Sequence, residues 1–80
     1  MNKLDYEWHY FIGGDCALMP RRQGKEIARI YHREQGVYEA VLCRWNGSKR
    51  AEPFPLGIVY SPDEAQEIIH QALQPLWEKA

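Results

Sequence analysis

Eighty residues make one domain, residues 1–80, with no internal repeat or linker. A 45% apolar and 12% aromatic content is enough for a small core, so disorder and a collagen-like chain are excluded, and two cysteines are too few for a disulfide scaffold. The net charge of −1 argues against a conventional, strongly basic nucleic-acid-binding domain.

Residues 5–12, DYEWHYFI, alternate. Tyr6, Trp8, Tyr10 and Ile12 fall on one side of a strand, and Glu7, His9 and Phe11 on the other. Gly13, Gly14 and Asp15 break the pattern. The next stretch, CALMPRRQG (residues 16–24), reads as a loop, because Pro20 follows Met19 and Gly24 closes the segment. KEIARIYH (25–32) predicts a second strand, with Ala28 and Ile30 facing one way and Ile27, Arg29 and Tyr31 the other. REQG (33–36) is its hairpin connection.

VYEAVLCRW (37–45) predicts the third strand; both of its faces are partly apolar, so its core face stays open. Asn46-Gly47 signals a turn, because both residues tolerate positive φ. SKRAEPFP (48–55) reads as an exposed turn region, since Pro53 and Pro55 oppose a central strand. LGIVY (56–60) is a short fourth strand.

SPDEAQEIIHQALQPLWEKA (61–80) predicts a helix with Ser61 as N-cap, Pro62 in the first turn and Glu64 completing a capping box. Ala65, Ile68, Ile69, Ala72, Leu73, Leu76 and Trp77 form one apolar stripe. Pro75 interrupts the backbone ladder without shifting that stripe, which predicts a loosened last turn with Leu76 and Trp77 still packed. The sum is an α+β domain: an antiparallel β-meander of three to four strands with one C-terminal amphipathic helix packed on one face. A lone helix covers one side of such a sheet, so the other side is left for solvent or a partner.

Charge is unevenly distributed. Residues 21–50 hold eight Lys or Arg against three Glu, while residues 51–80 hold five acidic residues against one Lys. Basic residues interleaved with aromatic ones can grip a phosphate backbone and stack on bases, or serve as protein hot spots. The candidate partner-binding residues are therefore Arg21, Arg22, Lys25, Arg29, Arg44, Trp45, Lys49 and Arg50. His9, His32, His70, Cys16 and Cys43 lack metal-ligand spacing, so neither a metal nor a cofactor is expected. A Cys16, His9 and Asp15 set is the one nucleophilic arrangement that can be drawn, and nothing in the sequence fixes its geometry.

MNKLDYEWHY carries no apolar stretch of the secretory kind, and no run reaches the roughly 18 apolar residues of a membrane span. The expectation is a cytoplasmic chain with no membrane contact, and with Cys16 and Cys43 as free thiols unless the fold brings them together as a disulfide.

A meander followed by one helix in 80 residues resembles, in size and layout across the whole chain, the small proteins of phages and mobile elements, the anti-CRISPR proteins among them. That resemblance implies a non-enzymatic inhibitor or adaptor that binds a nucleic-acid-handling effector complex and blocks DNA recognition or nuclease recruitment. It transfers no functional residue. The element order is also similar to the amino-terminal arm-binding domains of phage integrases, which implies the alternative: a DNA- or RNA-binding module using a basic sheet face and loop. An exposed sheet edge leaves a homodimer open in either case.

Overall fold

A computed structural model describes residues 3–78. A 3-10 turn over Lys3–Asp5 leads into five strands, β1 (Tyr6–Tyr10), β2 (Cys16–Pro20), β3 (Ala28–Glu34), β4 (Val37–Asn46) and β5 (Lys49–Val59), followed by helix α1 (Pro62–Glu78). The strands form one antiparallel sheet in chain order, β1-β2-β3-β4-β5, with the helix on one face. The expected α+β meander is thus present, with five strands instead of three to four. Lys79 and Ala80, included in the expected helical segment, lie outside the described residues.

The extra strand is β2, in the stretch read as a loop. Cys16, Ala17 and Leu18 are all buried, so the segment shows no alternation of apolar and polar residues. Pro20 is compatible with strand β2 because it ends it: it lies opposite Tyr6, beyond the last β2–β3 pair at Leu18 and Ala28, where no neighbour needs its N–H. The second correction joins two segments. Residues 48–55 and 56–60 are one long strand, β5, at the sheet edge. Pro53 and Pro55 are tolerated there because the edge leaves half of its backbone groups unpaired and the register shifts twice against β4.

Cross-strand rows define the two faces. Tyr10–Cys16–Ile30–Ala40–Gly57 and Trp8–Leu18–Ala28–Leu42–Phe54 run across all five strands on the helix side. Ala28 and Ala40, both fully buried, keep the centre of this face low beneath the helix. Leu18, Ile30 and Ile69 are fully buried, and each side chain contributes about 1.5–3 kcal/mol of apolar transfer. Ala65, Ile69, Leu73 and Trp77 seat α1 on this face.

The helix begins as its sequence dictates: the Glu64 amide donates to the Ser61 hydroxyl at 3.1 Å. Of the expected stripe, Trp77 packs, while Ala72 and Leu76 are exposed. No helix among the described residues is long and apolar enough to cross a membrane.

Candidate interaction face

The opposite face of the sheet has no covering element among the described residues. One row crosses it from edge to edge, His9–Ala17–Arg29–Val41–Pro55, with Arg29 on the central strand. Ala17 and Val41 are buried beneath their larger neighbours. Alternation along β3 brings Tyr31 and Arg33 to the same face as Arg29.

The Arg29 guanidinium lies 5.0 Å from the Phe11 ring centroid and 5.4 Å from that of Tyr31. Two carboxylates hold it there: Glu26 at 3.3 Å and Asp15 at 3.7 Å. Its Nε is buried without a hydrogen-bond partner. Arg33, two residues after Tyr31 on β3, lies 4.6 Å from the same ring and donates through Nε to Glu39 at 2.8 Å. Cation, ring and cation therefore follow one another along β3.

Glu26 extends the cluster toward the β4–β5 hairpin. Its carboxylate pairs with Arg50 as well as Arg29, and it accepts a contact from the Cys43 thiol at 3.7 Å. Its backbone carbonyl accepts the Trp45 indole N–H at 2.9 Å. Lys25 and Arg50 lie 5.2 and 5.5 Å from the Trp45 ring, and Lys25 donates to the Gly47 carbonyl.

Phe11 and Asp15 are placed by the β1–β2 loop. The Phe11 amide donates to the Asp15 carbonyl at 2.9 Å, and Gly13 and Gly14 take φ of 101° and 97° to close the turn. Asp15 accepts the His32 amide through Oδ1 at 2.8 Å, which ties the loop to β3. A side chain at Gly14 would collide with the His32 ring, since a Cβ there would lie 2.6 Å from its Nδ1.

The structure gathers Lys25, Arg29, Trp45 and Arg50 of the sequence candidates. Arg21 and Arg22 lie apart at the end of β2, where Arg21 donates to the Leu4 carbonyl at 2.7 Å and to Glu7 at 3.0 Å. Arg44 and Lys49 are exposed near the β4–β5 turn and make no ion pair among the described residues. Sequence reasoning missed Phe11, Asp15 and Glu26 as members of the face. Strand parity grouped Arg29 with Tyr31; the acids were hidden because they sit outside regular strands.

The remaining candidates are dispersed. Cys16 lies in the core on the helix side while Asp15 and His9 belong to the other face, so the one conceivable catalytic set is not assembled. Burial pushes both thiols above their usual pKa, and both cysteines are free. Among the described residues, no three His, Cys, Asp or Glu side chains are grouped as metal ligands. Comparison with protein-family models, curated proteins and solved structures finds no match to this chain.

Proposed function

We propose that this chain is a non-enzymatic protein-binding domain, an inhibitor or adaptor, whose contact surface is the open sheet face around Arg29, Tyr31 and Trp45. The observation that carries this reading is the internal pairing of its cations. Arg29, Arg33 and Arg50 are each neutralised by a carboxylate of the same face. A phosphate backbone would have to displace those carboxylates, so the counterion-release gain of nucleic-acid binding is small here. A protein surface gains instead from Arg and aromatic side chains already held in place, the residue types that dominate interface energetics, with little ordering cost left. The likeness in size and layout to anti-CRISPR proteins makes a bacterial nucleic-acid-handling effector complex the first partner to test.

The test is affinity capture from bacterial lysate before and after nuclease treatment, repeated with Tyr31→Ala. A protein retained at fixed stoichiometry after nuclease treatment is expected. Tyr31→Ala should weaken its binding by about 2 kcal/mol or more, with the thermal midpoint of the chain nearly unchanged. Recovery of nucleic acid alone, lost at moderate salt, would replace this reading with the direct nucleic-acid-binding one.

A further inference from the structure

We propose that the chain forms a two-fold symmetric dimer through the free edge of β1, pairing antiparallel with β1 of a second copy in the register that sets Trp8 opposite Trp8. The two edges of the sheet are unlike. The β5 edge carries Pro53, Pro55 and two register shifts, devices that prevent a further strand from adding. The β1 edge has no proline and no bulge.

Backbone direction on β1 follows from its outermost bonds to β2. Arg21 N donates to the Asp5 carbonyl at 2.8 Å, and Phe11 N donates to the Asp15 carbonyl at 2.9 Å. Residues of the same parity, Glu7 and His9, therefore direct their N–H and C=O groups toward β2. Tyr6, Trp8 and Tyr10 direct theirs outward from the edge. An added strand must present a matching set of outward groups, and a second β1 does so.

Charge selects the register. Pairing centred on Glu7 would oppose two carboxylates, and pairing centred on His9 would oppose two imidazoles. Centring on Trp8 sets Glu7 of each copy opposite His9 of the other, twice by symmetry, at a position where facing side chains come closest. Glu7 and His9 already attract one another within one chain, at 3.3 Å. The same register joins every outward group of Tyr6, Trp8 and Tyr10 to a partner group. Leu4 and Ile12, exposed at 73% and 106%, flank β1 on either side. The product is a continuous ten-stranded sheet with both helices on one face and both open faces on the other. This pairing is independent of what the open face binds.

Sedimentation of the whole chain tests it, with thermal unfolding to confirm folding of each variant. The wild-type chain should sediment as a dimer. Tyr10→Pro removes an outward N–H without touching a β1–β2 hydrogen bond and should give a folded monomer. His9→Glu should raise the dimer dissociation constant by about tenfold, because the like-charge pair occurs twice. Glu7→Lys combined with His9→Glu should restore it. A wild-type monomer up to its solubility limit would overturn the proposal. So would a dimer indifferent to Tyr10→Pro, or a His9→Glu defect that the double variant does not repair.

Discussion

The Arg29 guanidinium and the His70 imidazole are both ionisable groups pressed against aromatic rings, yet their surroundings treat charge in opposite ways. Two carboxylates support the charge on Arg29. His70 lies between Trp8 and Trp77, with ring centroids at 5.8 and 5.1 Å, and accepts the Trp8 indole N–H on Nε2 at 3.2 Å. That bond requires the neutral ring with its proton on Nδ1, which is buried without a partner. Burial holds the His70 pKa below its ordinary value of 6.5; Lys3 pushes the same way and Glu67 opposes.

The unfolded chain then binds more protons than the folded one around and below that ordinary value. The stabilising contribution is complete above the unfolded pKa and is lost as pH falls through the folded one. The thermal midpoint is expected to fall on acidification from about pH 7.5 to 5, and His70→Gln, which keeps an acceptor for Trp8, should flatten that dependence. Trp77 closes the same cluster at 9% exposure. Trp77→Ala is expected to cost about 3–5 kcal/mol in a denaturant titration, and a loss under about 1 kcal/mol would contradict its role in the core.

At the level of elements, α1 is fixed at its start by local chemistry and along its length by packing. Asp63 and Glu64 suit the positive end of the helix, and Ser61 caps it. Ser61→Ala should lower unfolding free energy by about 1 kcal/mol with an unchanged denaturant slope, because only one end of the element is touched. Pro75 removes one backbone donor in the last turns, yet the helix continues to Glu78. Trp77 stays packed across that point, whereas Leu76 does not. Among the strands, β5 is long but protected as an edge, and β1 is short but open. That contrast makes β1 the element through which a second copy can add.

Across the whole molecule, charge separates by layer. Between Pro62 and Glu78 the helix has acidic residues and no Lys or Arg, whereas the strands carry most of the arginines. The acidic total therefore conceals a sheet face with cations on it. Those cations are largely engaged with carboxylates of the same face, so binding to a protein partner is expected to depend less steeply on salt than phosphate binding would. Dimerisation through β1 would set two such faces side by side, and a partner able to reach both would gain avidity without any new kind of contact.

The chain of residues by itself determined the helix, its cap and most of its buried stripe, because capping and a period of 3.6 are local properties. It also determined the hairpins around Gly36 and Gly47, where positive φ of 75° and 65° is required. Tertiary structure alone decided that Cys16-Ala17-Leu18 is a strand, since burial on both faces erases alternation, and that Pro53 and Pro55 lie within one, since an edge tolerates missing donors. It also decided which basic residues share a surface. Arg21 and Arg29 are close in sequence, but the fold sends one to the N-terminal turn and the other to the centre of the sheet. Asp15 and Glu26 reach Arg29 from flanking loops, and no sequence period reports a contact made by strand pairing and chain reversal.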